Sequence, residues 1–273
     1  MAATSVRPGS RGDPGTTVAV VTGAARGLGA GLAAHFADLG YRLGLCAREV
    51  PTAPPGSDPV VVAADVADAE AVDALAEAVV ARFGRIDLWV NNAGVLGPVG
   101  ALADVAPGDL SRHLATNVLG MMHGSAAFAR HVRRRPGGGA LVNLSSGAAR
   151  TPYRGWAAYC ASKAAVEMLT EVVGLEERVS GLRAYAVSPG VVDTGMQAEV
   201  RAAPESVFPA GERFRRLHRD GSLASPGWVA RCIVERCVDP ATRLEPDPGR
   251  GAVVFRVPDP PGSSGGAPVP SWT

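Results

Sequence analysis

From residue 18 onward, short apolar runs alternate with longer stretches whose apolar positions recur at helical spacing. Val-Ala-Val-Val at 18–21 is a β-branched run suited to a strand buried on both faces. Residues 28–39 then read as a helix that stops at Gly40. The same logic predicts strands at 42–46, 60–62, 88–90, 140–144, 182–187 and 252–257. It predicts helices over 70–83, 109–135 and 157–179, the second of these halted by Pro136 and three glycines. Between 49 and 59, Pro51, Pro54, Pro55 and Pro59 rule out a persistent helix, so that crossover should be an irregular loop. Strand–helix alternation of this kind predicts an α/β fold: one doubly wound parallel sheet of about seven strands with helices on both faces. The sheet domain should run over 17–257. Residues 1–16 and 258–273, rich in Gly, Pro and Ser without periodicity, read as disordered tails.

Composition narrows the function. Of the 273 residues, 47% are hydrophobic and 19% charged, enough apolar surface for a sizeable core. A net charge of +1 gives no electrostatic case for nucleic acid or an anionic membrane. No apolar run is long enough to span a bilayer, and the N-terminus lacks a signal peptide's apolar stretch. Cys46, Cys160, Cys232 and Cys237 show neither metal-ligand nor disulfide spacing, which suits a reduced cytoplasmic setting. Cys160 is a structural residue that should turn away from its neighbour Tyr159, because adjacent helix positions diverge by about 100°. His35, His113, His123, His131 and His218 form no metal-ligand pattern and read as ordinary helix residues.

Two constellations carry chemistry. The first is the loop Thr-Gly-Ala-Ala-Arg-Gly-Leu-Gly at 22–29, between the first strand and the first helix. A helix N-terminus offers free backbone N–H groups and a positive dipole end, and Gly23, Gly27 and Gly29 permit a tight turn and close approach by phosphate. This is the arrangement of a Rossmann-type pyrophosphate site; the alternative is a packing turn. The second strand ends in Leu-Cys-Ala-Arg, so Arg48, with Arg26 in the loop, could flank a ribose 2′-phosphate, which favours NADP(H). If that strand ends one residue later, Glu49 would instead take a ribose 2′-OH, as in NAD sites.

The second constellation is Tyr159 and Lys163, four apart and so on one helix face, with Ser146 thirteen residues upstream. A phenol of pKa near 10 needs about 4 kcal/mol of differential stabilisation to drop three units, and one ammonium about 4 Å away supplies that order. Lys163 should therefore tune Tyr159 as the acid/base, while Ser146 donates to the substrate oxygen. Tyr-x-x-x-Lys pairs also occur on exposed helices; beside Ser146 and a glycine loop, the pair reads as the proton relay of a hydride-transfer enzyme.

These residues, with Asp65-Val66, Asn91-Asn-Ala-Gly94, Asn117 and Pro189-Gly190, give residues 16–257 a close resemblance to the short-chain dehydrogenase/reductase family. The resemblance implies that Gly23, Arg26, Gly27, Leu28 and Gly29 hold the cofactor together with Arg48, Asp65, Val66, Asn92, Ala93, Gly94, Tyr159, Lys163, Pro189, Gly190, Val192 and Thr194. Asp65 and Val66 should flank the adenine, and Asn91 to Gly94 should border the cofactor while bracing the sheet. Asn117 should sit at a helix distortion and hold a water linked to Lys163, completing a catalytic set of Asn117, Ser146, Tyr159 and Lys163. Family members usually pair their two long helices across a two-fold axis, which implies a homodimer or homotetramer.

Asn-Leu-Ser-Ser at 143–146, Gly-Trp-Ala-Ala-Tyr-Cys at 155–160 and Asp-Thr-Gly-Met-Gln at 193–197 look like the sepiapterin reductase subfamily, whose bacterial relatives include enzymes reducing aromatic diketones such as benzil. That subfamily holds its pterin with an aspartate in the last strand; here Val254 occupies the place. By analogy, 197–225 forms a substrate lid containing Phe208, Phe214 and Leu217. With Tyr153, Trp156 and Met196, these suggest an aromatic or apolar ketone beside Ser146 and Tyr159, although ordinary core or lid packing would account for the same residues. The arginines at 201, 213, 215 and 216 read as a solvated helix face. The sequence thus predicts an NADPH-dependent carbonyl reductase acting on a small-molecule ketone, with no nucleic acid, membrane or metal involved. The alternatives are an NAD-dependent alcohol dehydrogenase working oxidatively and a catalytically silent nucleotide-binding protein.

Overall fold

A computed structural model describes residues 17–247 and 249–261; the expected tail at 1–16 and most of the one at 258–273 lie outside them. Seven parallel strands form one sheet: β1 (Val18–Thr22), β2 (Arg42–Ala47), β3 (Val60–Ala63), β4 (Leu88–Asn91), β5 (Gly139–Leu144), β6 (Leu182–Ser188) and β7 (Ala252–Arg256). Their order is β3-β2-β1-β4-β5-β6-β7. Every residue of β1, β4 and β5 is buried, which is why these strands read as continuous apolar runs instead of alternating ones.

Helices α1 (Gly27–Asp38) and α8 (Pro226–Ile233) cover one face. There Leu32, Phe36, Val229 and Ile233 pack on Ala19, Val21, Leu45, Val90 and Val187. Helices α2 (Ala69–Phe83), α4 (Gly120–Arg133) and α5 (Ala157–Glu177) cover the other. Val72, Leu75, Val79 and Phe128 there meet Val18, Val20, Trp89 and Leu141, the opposite parity along the same strands. Local chemistry sets the ends of α2: the Asp68 side chain accepts from the Glu70 and Ala71 N–H groups, and Gly84 closes the helix in the left-handed conformation.

Three sequence expectations are revised. The helix expected over 109–135 is broken: α3 (Pro107–Leu114) runs into a π-helical turn at Ala115–Leu119 before α4 begins. The segment expected as a lid holds two helices, α6 (Gly195–Ala202) and α7 (Gly211–Arg219), the first starting ahead of residue 197. Helix α8 was not anticipated, although Ser225 caps it by accepting from the Trp228 N–H and Pro226 opens it. The 49–59 crossover holds no helix. Of the C-terminal stretch, residues 258–261 are described, and the Pro258 carbonyl accepts from the Trp228 indole N–H at 2.8 Å.

Candidate active site

The strand order reverses direction between β1 and β4. A cleft opens at the carboxyl ends of the strands around that point, where open α/β sheets bind ligands. Its volume is about 780 Å³. Gly23, Arg26, Gly27, Leu28, Gly29, Arg48, Asp65, Val66, Asn92, Ala93, Gly94, Pro189, Gly190, Val192 and Thr194 all line it. So do Ser146, Tyr153, Trp156, Tyr159, Lys163 and Met196. Asn91 and Asn117 do not.

At one end lies the glycine loop. Gly23 and Gly27 have φ of +68° and +58°, and a Cβ on Gly23 would come within 2.7 Å of Ala93 Cα. Asn92 locks the loop: its Nδ2 donates to the Thr22 and Gly23 carbonyls, and its N–H donates to Thr22 Oγ1. The first turn of α1 has neither a capping side chain nor an acidic residue. Its N–H groups therefore remain available to an anion. Tight glycines, an uncapped helix start and a long cleft fit the pyrophosphate of a nicotinamide dinucleotide. Arg48 and Glu49, both exposed, line the far end together.

At the other end, Ser146 lies just past β5 in extended conformation. Its hydroxyl accepts from the Ala148 N–H at 3.2 Å and is near enough to Tyr159 to favour the phenolate. Lys163 is 5% exposed; its Nζ donates to the Leu144 carbonyl at 2.7 Å and lies 5.7 Å from the Tyr159 ring centre. Burial pulls the Lys163 ammonium down to about 8. Burial pushes the Tyr159 phenol above its ordinary value, partly opposed by Ser146 and reinforced by Cys160. The lowering of that phenol expected from Lys163 is not among these influences; desolvation dominates, and Tyr159 holds its proton at neutral pH. Ser145 turns to the Glu167 carboxylate at 3.0 Å, which also accepts from Arg150 at 2.8 Å. Val254 lines a small pocket beside Ser146 that also holds this Glu167. Cys160 stays off the cleft.

Asn117 sits in the π-helical turn and is fully buried. Its side chain faces the Val95 backbone, not Lys163: Oδ1 accepts from the Val95 N–H and Nδ2 donates to the Val95 carbonyl, both at 2.8 Å. Asn91 braces the sheet from behind, where it joins Trp89, Ser125 and Asn143. Tyr153, Trp156, Phe208 and Phe214 form a wall of rings, with Trp156 and Phe208 stacked 4.3 Å apart. Sequence reasoning missed Thr116, Glu199 and Arg256 as cleft residues and gave Arg213 to solvent. Arg213 Nη1 donates to the Tyr153 hydroxyl at 3.2 Å. Only the alternation of β7, which puts Arg256 two residues beyond Val254, could have pointed to Arg256.

Residues 17–205 match the model of the short chain dehydrogenases. The chain belongs to the short-chain dehydrogenase family. A benzil reductase forming (S)-benzoin, from Bacillus subtilis, is 37% identical over 155 residues, which cover 56% of this chain and 63% of that enzyme, under two thirds of its length. The 3β-hydroxysteroid dehydrogenase 1 of Eggerthella lenta is 37% identical over 84% of this chain and 88% of its own. The crystal structure of 3-ketoacyl-(acyl-carrier-protein) reductase from Brucella melitensis, complexed with NADH, superimposes with a TM-score of 0.74 at 26% identity, covering 88% of this chain and 96% of that one. Among the described residues, no helix is long and apolar enough to cross a membrane, and no cluster of His, Cys, Asp or Glu is placed to hold a metal.

Proposed function

We propose that this short-chain dehydrogenase is an NADPH-dependent carbonyl reductase whose substrate is an aromatic or apolar ketone or diketone. The reading rests on one observation. A buried phenol that keeps its proton, with a serine hydroxyl near it, lines a cleft that also holds a glycine-rich helix start. When bound, the reduced nicotinamide supplies hydride to the carbonyl carbon. Ser146 donates to the carbonyl oxygen and fixes its position, and Tyr159 passes its proton to that oxygen as negative charge develops there. Lys163, held by the Leu144 carbonyl, keeps a positive charge within reach of the phenolate that remains. Asn117 holds the Val95 backbone and so the wall opposite. The ring wall of Tyr153, Trp156, Phe208 and Phe214 supports an aryl substrate.

Arg26 and Arg48 at the far end support a 2′-phosphate. Glu49, lining the same end, favours the second reading, an NAD-dependent enzyme working oxidatively. Four unpaired cysteines support a reducing, cytoplasmic setting. Exposed apolar residues on α4 and α5, Met122, Met168, Val172 and Leu175, support pairing of two copies. The deciding experiment is a carbonyl panel assayed by NADPH and NADH consumption, with aryl diketones beside pterin side-chain ketones. Turnover of aryl diketones with NADPH is the expected result; turnover with NADH alone, or of no ketone, overturns the reading.

A further inference from the structure

His113, in the last turn of α3, is 1% exposed, and every polar atom of its ring has a partner. Nδ1 lies 2.6 Å from the Gly97 carbonyl oxygen. A carbonyl only accepts, so the ring proton is on Nδ1 and Nε2 of the neutral ring is an acceptor. Nε2 lies 3.1 Å from Asn117 Nδ2. The Asn117 amide cannot be turned over: its oxygen faces the Val95 N–H and its nitrogen the Val95 carbonyl, and a flip would create one donor–donor and one acceptor–acceptor clash. Its second amide proton faces His113 Nε2, with Ser162 Oγ a longer alternative at 3.4 Å. Ser162, also 3.1 Å from Nε2, donates to the Tyr159 carbonyl at 2.9 Å and so is not competing to donate to the ring.

The result is a connected set of hydrogen bonds. It staples residue 95 through Asn117 and residue 97 through His113. Val95, Leu96 and Gly97 all line the cleft, and Leu96 packs with Trp156 and Tyr159. The His113 ring also meets the Tyr159 ring edge-on, with centres 6.3 Å apart. Of the titratable groups on α5, Tyr159 and Lys163 face this histidine. Tyr159 is neutral, and the Lys163 ammonium opposes a second positive charge. The Gly97 and Ala158 carbonyls favour one, and burial, the largest influence, disfavours it.

We propose that His113 is a positioning residue: neutral, it steadies Asn117 and through it the 95–97 wall where Tyr159 needs them, and a proton gained at Nε2 removes the acceptor that steadies Asn117, so turnover falls as the solution becomes acidic. The second proton would turn to Ser162 Oγ, and the Asn117 N–H, buried beside it, would lose its acceptor on the ring. The proposal rests on the carbonyl-reductase reading of the Tyr159 site.

Two measurements test it. The first is the pH profile of kcat for the parent and for His113→Gln and His113→Asn, neither of which can titrate. The parent should lose about ten-fold per pH unit on its acid limb, and the limb should vanish in both variants while affinity for the dinucleotide changes less than about two-fold. An acid limb retained in both overturns the proposal. The second is ¹⁵N NMR of the histidine rings in the unaltered enzyme across the same pH range. It should show His113 as the Nδ1–H tautomer, titrating together with the kinetic limb. An Nε2–H tautomer, or a ring that stays neutral throughout the limb, overturns it whether or not the variants fold. Tyr159→Phe distinguishes the underlying reading: if that variant keeps full turnover, the carbonyl-reductase mechanism fails whatever His113 does.

Discussion

That Tyr159 and Lys163 share a helix face could be read from spacing alone, because four residues of helix put two side chains on one face whatever the tertiary context; Ser146 and the glycine loop were needed to single the pair out. The pair's protonation could not be read this way, because burial is a property of the folded cleft, and it reverses the direction expected for Tyr159. Tyr159→Phe should lower kcat by roughly 10²–10⁴-fold, with the dissociation constant for the dinucleotide unchanged by fluorescence titration; equal activity would remove Tyr159 from the chemistry. Lys163 titrates near 8 in the folded protein against 10.5 ordinarily. Between those values the unfolded chain binds more protons, so the parent gains stability relative to Lys163→Met as pH rises from 8 to 10.5, by on the order of 3 kcal/mol. Urea unfolding of both proteins at pH 7 and pH 10 measures the difference; no change with pH would mean that the ammonium is well solvated. Arg48→Ala should raise KM for NADPH about ten-fold while sparing NADH; an equal effect on both would assign that end of the cleft to Glu49.

The central strands were legible because both of their faces are buried, and the long helices through their apolar spacing, whereas α8 was missed despite its cap and proline. The break at Ala115–Leu119 was legible only through the family resemblance, which implied a distortion at Asn117, since apolar periodicity runs straight through it and a π-helical turn has no composition of its own. His113 and Asn117, four apart, were a legible pair in principle, but a lone histidine on an apolar helix says nothing about its partners. Gly124 marks where α4 presses on β4: a Cβ there would run into Asn91 Oδ1 and come within 2.7 Å of the Trp89 indole nitrogen. Gly124→Ala should therefore destabilise the fold by about 1–3 kcal/mol, read from the midpoint of chemical denaturation. An unaltered midpoint would mean that α4 shifts freely.

For the whole molecule, the topology followed from strand–helix alternation, and the cleft followed from the topology: the reversal between β1 and β4 places the glycine loop and β5 on either side of one opening. The ring wall was less legible, because the lid aromatics come from a segment without strong periodicity and meet Tyr153 and Trp156 only after the chain has crossed the sheet. Helix α5 joins these scales. Its first turns carry Tyr159 and Lys163 inward, while Met168, Val172 and Leu175 further along it stand open. If a second copy covers those residues, one rod transmits the contact straight to the proton donor. Specific activity would then depend on enzyme concentration, dropping on dilution and returning on reconcentration, and Met168→Lys would behave at any concentration like the diluted parent. A rate per molecule that stays flat across a thousand-fold dilution would separate the assembly of this enzyme from its catalysis.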